Sequence, residues 1–515
     1  MRSMGFLLFV LWIAQPAAAA DILAVHQAGS TDHEKLSQAI AVANPGDTIH
    51  LADCIDEGEG VVCLRPKVWV LDESLVGKHG VTYTGQSRRG DSTLKMADFG
   101  PEDDWDAIRW RDILTFGHQP PSELPTVVKH LIFDGNRDRQ GASPNPNCEA
   151  ACPGDWTCVV NWCVSPTCDG CGPNEEDCPE DRTCVSEPKQ EGLLLTALQD
   201  QQQQFVVENV NFRDHLWVGM LVWHGAEVEA KGLSSTNNLN AIQLGGHKGH
   251  VRLDLSGWGS VRDRVAFRGE IEGALRLSRD TVRARISDSK IIDPTSLAIS
   301  FGPKACTGVG SEFLVEGVRT ACDSDPACSP YVHLVPGFSN ITVRESKIGG
   351  VGEGRDNKGL ALWLQNVAGD VEVSNSQLGG YVHFHSVAAG FERVVDPILF
   401  ENVTLSGLGK LADSFAIPGS GAARYAFYTN RNLNIYGPFR WFTLSNVDAR
   451  AMQADRLLHL YGGGARVDRR TFRVNSLGLA LGGDPDLYSS TVEMEVSPGV
   501  FEPTEVTEGF RLIEP

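Results

Sequence analysis

A six-residue pattern that recurs along the chain restricts its fold more than any other feature. It reads apolar, any, Asn/Asp/Glu/His, small or apolar, any, apolar. The copies are Val128-x-His130-Leu131-x-Phe133, Val207-x-Asn209-Val210-x-Phe212, Ile286-x-Asp288-Ser289-x-Ile291, Val343-x-Glu345-Ser346-x-Ile348, Val373-x-Asn375-Ser376-x-Leu378, Phe400-x-Asn402-Val403-x-Leu405 and a weaker Leu444-x-Asn446-Val447. Alternate residues of a strand face opposite sides. Apolar residues flanking the central polar position can therefore share one interior only if two short strands meet at a sharp bend. Asn and Asp suit that bend, because they tolerate left-handed backbone and hydrogen-bond locally. The closest copies are 30 residues apart (345 to 375) and 27 apart (375 to 402), whereas the gap of 57 between 288 and 345 leaves room for an insertion or a degenerate copy. Stacked copies place Asn209, Asp288, Asn375, Asn402 and Asn446 in a ladder.

After each copy and a variable loop comes a further alternating strand. Examples are 219–223 (GMLVW), 241–244 (AIQL), 297–301 (LAISF), 359–364 (GLALWL), 381–385 (YVHFH) and 457–461 (LLHLY). Three strands per repeat is the grammar of a parallel β-helix. A propeller or sandwich would need tight hairpin turns between most strands, and few are present. The stretch HEKLSQAIAVANPGDTIHLAD predicts a short amphipathic cap helix, a turn and a first strand. Together with VKHLIFDGNRDRQ it makes the chain resemble the right-handed parallel β-helix proteins of the pectate-lyase-like superfamily over roughly residues 30–510. The resemblance implies an all-β, single-stranded right-handed solenoid with an N-terminal helical cap, and it specifies fold better than reaction.

Residues 1–20, MRSMGFLLFVLWIAQPAAAA, have a basic start, an apolar run too short to span a bilayer comfortably and a small-residue cleavage site, as a signal peptide does. The expected organisation is therefore a signal peptide over 1–20, a β-helix domain over 21–515 and a cysteine-rich insertion over 148–185. The protein is expected to be secreted, periplasmic or extracellular, with no membrane attachment after cleavage. A net charge of −21 opposes nucleic-acid binding. All 13 cysteines are disulfide candidates in an oxidising compartment: Cys54 with Cys63 as a local pair, the crowded Cys148, Cys152, Cys158, Cys163, Cys168, Cys171, Cys178 and Cys184, and then Cys306, Cys322 and Cys328. Zinc is the rival for the crowded eight, but 148–184 holds no His and one C-x-x-C, Cys168 to Cys171. The odd count leaves one thiol over. The two cysteine segments are expected to emerge at opposite ends of one third-type sheet, either walling a cleft or as plain surface insertions.

With β-branched residues and Leu taken as inward, the third-type strands present Trp223, Gln243, Ser300, Trp363, His383, His385, His459 and Tyr461 outward. Aromatic platforms with polar neighbours suit sugar rings, so Trp223, Gln243, Trp363, His385, His459 and Tyr461 are expected to bind a polysaccharide; the alternative is an ordinary solvent-facing surface. Acid–base chemistry on a glycan needs two carboxylates, or a base with a charge-stabilising cation. Strand entrances offer Asp214, Asp293, Asp356 and Asp455, with Arg355 and His383 as partners and calcium as the candidate cation; no cofactor is required with certainty. Gly354-Arg355-Asp356-Asn357-Lys358-Gly359 is loosely similar to the strand entrance of polygalacturonase-like hydrolases, with Asp356 shifted, but that family's Asp-Asp, Gly-His-Gly and Arg-Ile-Lys are missing. Arg262, Arg264, Arg268, Arg276, Arg279, Arg283 and Arg285 are either a salt-bridged outer face or a patch for a uronate chain. The expectation is an exported carbohydrate-active β-helix protein, a hydrolase or lyase; a non-catalytic glycan-binding or adhesion protein is the alternative.

Overall fold

The computed structural model describes residues 19–58, 60–98, 111–117, 119–137, 157–159, 162–164, 190–198, 201–246, 250–271, 282–303, 311–325, 328–335, 340–351, 358–365, 370–384, 398–412, 423–429 and 442–454, and strand segments 456–459, 466–467, 472–474, 480–481, 490–497 and 500–506. The chain winds as a right-handed parallel β-helix, the hand that parallel crossovers take. Each coil contributes a strand to a first, a second and a third row, and each row is parallel to itself from coil to coil.

The bends come from the recurring pattern. Its first apolar position stays in register through Val128, Val207, Ala230, Leu255, Ile286, Val315, Val343, Val373, Phe400 and Leu444. The central residues His130, Asn209, Asp288, Glu345, Asn375 and Asn402 all take positive φ. Between them lie three copies that the pattern does not reveal, bent at Gly232, Gly257 and Gly317, also at positive φ. Gly317 accounts for the gap between 288 and 345 with a complete coil. In these copies the last inward position is Ser235, Ser260 or Thr320 rather than an apolar residue, and each hydroxyl is bonded: the two serines donate to Asp263 at 2.6 Å, and Thr320 donates to the Pro330 carbonyl at 2.6 Å. Asn446 lies within the strand Phe442–Gln453.

The interior is filled by in-register side chains of all three rows. Because neighbouring rungs are about 4.8 Å apart, equivalent aromatic rings stack, as Phe133 does on Phe212 at 5.4 Å; rings of different rows also meet inside, as the third-row Phe301 and the first-row Phe313 do at 4.3 Å. Helix α1 (Asp32–Val42) caps the first coils. A capping box between Thr31 and Glu34 starts it, and Leu36, Ala39 and Ile40 are buried beneath it. In the following NPGDT turn the Asp47 carboxylate accepts the Asn44 and Ala20 N–H groups, both at 2.8 Å.

Disulfides join Cys54 to Cys63 and Cys322 to Cys328, as an oxidising compartment allows. The expectation of two lobes at opposite ends of the third row does not hold. The segment 312–334 is a coil of its own, and its Cys322–Cys328 loop sits between a second-row strand (Arg319–Ala321) and a third-row strand (Val332–Leu334). The cysteine-rich segment likewise leaves the second-row strand Leu131–Asp134 and returns at the third-row strand Glu191–Leu195, so both occupy the same corner. Within it, Cys158 faces Cys163 across a short antiparallel hairpin. Cys148, Cys152, Cys168, Cys171, Cys178, Cys184 and Cys306 lie outside the described residues, as do residues 1–18, on which the expectation of a signal peptide mainly rests. No helix among the described residues is long and apolar enough to cross a membrane.

Candidate functional site

The outward positions of the third row form one register line: Leu221, Gln243, Arg268, Ser300, His333, Trp363, His383, Tyr428 and His459. On either side of it the strand residues turn inward; Val332, Leu334, Leu362, Leu364 and Val382 are at most 1% exposed. Four consecutive rungs carry rings. His333 lies 4.7 Å from Trp363, Trp363 stacks on His383 at 5.5 Å with an interplanar angle of 16°, and His383 is 5.5 Å from Tyr428. The His333 Nε2 is 3.1 Å from the Gln365 Oε1, which orients that imidazole. The result is a stripe of stacked rings, half-buried at His333, Trp363 and Tyr428 and buried at His383. His333 belongs to the coil hidden by Gly317, which is why the sequence did not point to it, and Arg268 and Tyr428 were missed as members of the line.

Gln243, Trp363, His383 and His459 thus fall on one line, His459 through its backbone pairing with Tyr428. Trp223 does not. Its backbone N–H donates to the Leu195 carbonyl at 2.8 Å, and its ring lies over Gly245, where an added Cβ would come within 2.5 Å of it. It stands in the coil of Leu221, five rungs or about 24 Å from Trp363. Arg355, Asp356, His385, Asp455 and Tyr461 lie outside the described residues.

Asp214 and Asp293 sit at the corner between second and third rows, both at positive φ. Asp214 accepts a hydrogen bond from the Asn237 Nδ2 at 2.7 Å. Asp293 accepts the Asp323 N–H at 2.8 Å, the Ser324 N–H and hydroxyl, and the Asp325 N–H. Burial opposes its ionisation, but the hydrogen bonds from Ser324, Asp325 and Asp323 outweigh it and hold the carboxyl below its usual range. Three rungs separate the two acids, about 14 Å, more than the roughly 5–9.5 Å of a glycosidase pair. Asp293 instead anchors the Cys322–Cys328 loop. Asp293→Ala is expected to cost about 1–3 kcal/mol by orphaning those donors, seen as faster amide exchange at 322–328 with glycan binding unchanged.

One close acid pair was not anticipated. The Asp112 carboxylate accepts the Glu191 N–H at 3.3 Å, and burial, against a hydrogen bond with the Glu191 side chain, pushes the Asp112 carboxyl up. Asp112 lies two residues before the third-row strand Leu114–Phe116, and Glu191 opens the third-row strand Glu191–Leu195.

The described arginines of the arginine-rich stretch are spread over different parts of the coil. Arg283 and Arg285 point out from the first row, 3.5 Å from Glu312 and 2.6 Å from Glu316. Arg262 is a corner residue, Arg268 belongs to the third-row line, and Arg276 and Arg279 lie outside the described residues. Asp263, which looks like one of the interleaved surface acids, is buried inside. Among the described residues the one group of three His, Cys or acid donors close enough to share an ion is His50, Cys54 and Cys63, whose sulfurs are joined in a disulfide. This set does not fit calcium, which takes oxygen ligands, and no step is derived through that ion.

No family model matches the chain, and no curated protein is significantly similar to it.

Proposed function

We propose that this is an exported carbohydrate-active β-helix protein of the pectate-lyase-like superfamily, holding an extended glycan along the outward line of its third row. The observation that carries this reading is the ring series His333–Trp363–His383–Tyr428, repeating at the rung spacing along an otherwise regular sheet. A flat stripe of that kind offers stacking to successive sugar rings. The structural commitments of Asp214 and Asp293 favour recognition over turnover for the described residues, so the non-catalytic glycan-binding protein is kept as the second reading. A hydrolase or lyase reaction would draw on Asp356 and Arg355.

The test is a glycan screen of residues 21–515 that reads binding, new reducing ends and unsaturated-uronate absorbance together. Binding to an extended glycan is expected, and Trp363→Ala should weaken it about 10- to 100-fold, the worth of about 1.5–3 kcal/mol of buried aromatic surface. Unaltered affinity in that variant removes the platform. New products identify an enzyme; binding without products identifies the recognition protein.

A further inference from the structure

Two buried polar atoms beside the third-row line lack a hydrogen-bond partner: the Tyr381 hydroxyl and the Gln243 Oε1. Gln243 is a rung of the line and only 5% exposed. Tyr381 precedes His383 by two residues on the same strand, so alternation turns it to the same side, and the two rings are 6.5 Å apart. Burial raises the Tyr381 phenol's pKa, and the nearby Tyr428 and Tyr331 phenols add to this, so the hydroxyl stays protonated. Orphaned buried groups are costly and rare; one of these two lies within the ring series, on the strand of His383, and the other on the same line three rungs before His333. From the Gln243 rung to the His383 rung is five rungs, about 24 Å.

Resting on the glycan reading above, we infer that the third row takes an uncharged, extended oligosaccharide whose own hydroxyl groups complete the hydrogen bonding of Tyr381 and Gln243. A neutral phenol and a neutral amide match sugar hydroxyls. A carboxylate placed among them would need a cation; of the described arginines between 262 and 285 Arg268 alone is placed on the line, and it is already engaged with another group. Lys410 has its Nζ 5.8 Å from the Tyr381 ring centroid, a cation–π contact. The distance between the two orphaned groups selects a chain over a disaccharide.

Calorimetric titration of the 21–515 protein decides this, using neutral β-glucan, mannan and xylan oligosaccharides beside oligogalacturonate and alginate oligomers, at low and high salt. A neutral chain is expected to bind with an affinity indifferent to salt, and its disaccharide more weakly. Tyr381→Phe and Gln243→Leu, which keep the shape of each side chain, should each weaken binding about three- to tenfold. Binding confined to uronates and falling with salt overturns the inference, as does unchanged affinity in both variants while Trp363→Ala is impaired; in those cases the glycan platform stands. Indifference to Trp363→Ala, or binding of no glycan, overturns the platform and this inference together.

Discussion

Phe313→Ala is expected to destabilise the coils around it by about 3–5 kcal/mol. Phe313 lies on the first-row strand Glu312–Glu316 and is 1% exposed. Its ring sits 4.3 Å from Phe301 and 5.6 Å from Phe267, both nearly parallel to it. Those two come from consecutive third-row strands, so one ring ties the first row to the third across the interior. Removing it takes away apolar burial and leaves a void that regular strands on every side cannot close. In a solenoid each coil touches only its neighbours, so the loss should appear as faster amide exchange in 265–271, 297–303 and 312–316 while distant coils keep their protection. Phe313→Leu should recover most of the stability. A change below about 1 kcal/mol in the alanine variant would show that the stack contributes little.

Asp263 carries the second large effect. Its carboxylate is wholly buried and accepts four hydrogen bonds, from the Ser235 and Ser260 hydroxyls at 2.6 Å and from the backbone and side-chain nitrogens of Asn238 at 2.8 Å. Asn238 in turn accepts the His215 N–H and donates to the Phe212 carbonyl, so one acid links three coils. Asp263→Ala should cost about 3–5 kcal/mol, because four donors lose a buried acceptor. The pH dependence is equally specific. Burial, against these four bonds, pushes the Asp263 carboxyl up to about 6 from 3.8. The folded chain therefore holds that proton more tightly than the unfolded one. Its contribution to stability falls by about 3 kcal/mol as pH rises from 4 to 6, and is flat above. Burial pushes His215 down to about 4 from 6.5. Its contribution is full above pH 6.5 and falls by about 3 kcal/mol as pH drops to 4. The two slopes oppose each other between pH 4 and 6. Asp263→Asn leaves only that of His215, so the stability gap between wild type and variant should widen by about 3 kcal/mol from pH 6 to pH 4. Urea midpoints across that range check it, and a constant gap would mean that Asp263 keeps an ordinary carboxyl.

Much of the winding was legible because its cause is local. A bend that reverses the inward face of a strand needs left-handed backbone at one residue and apolar residues at fixed offsets, and both leave a mark in six residues. Where the bend is Gly and the last inward position is Ser or Thr, the mark disappears, because glycine is a turn residue anywhere and a buried hydroxyl looks like a surface one. Ser235 and Ser260 are inward only because Asp263, from the coil's next corner, supplies an acceptor, and that pairing cannot be read from spacing. The hidden coil of Gly317 displaced the inferred position of the second disulfide loop, which lies between a second-row and a third-row strand, and kept His333 out of the candidate site.

By itself, then, the sequence determined the recurring coil, six of its bend residues, the cap and two of the four stacked rings on the third row, Trp363 and His383, since each depends on alternation and on the conformational range of single residues. Only the tertiary structure decided which of those rings meet. Stacking Trp363 between His333 and His383 depends on counting every coil, because one more or fewer moves a ring by about 4.8 Å along the sheet. It likewise decided that Asp214 and Asp293 serve the corner rather than a reaction: hydrogen bonds from other coils, formed only when the solenoid closes, occupy their carboxylates.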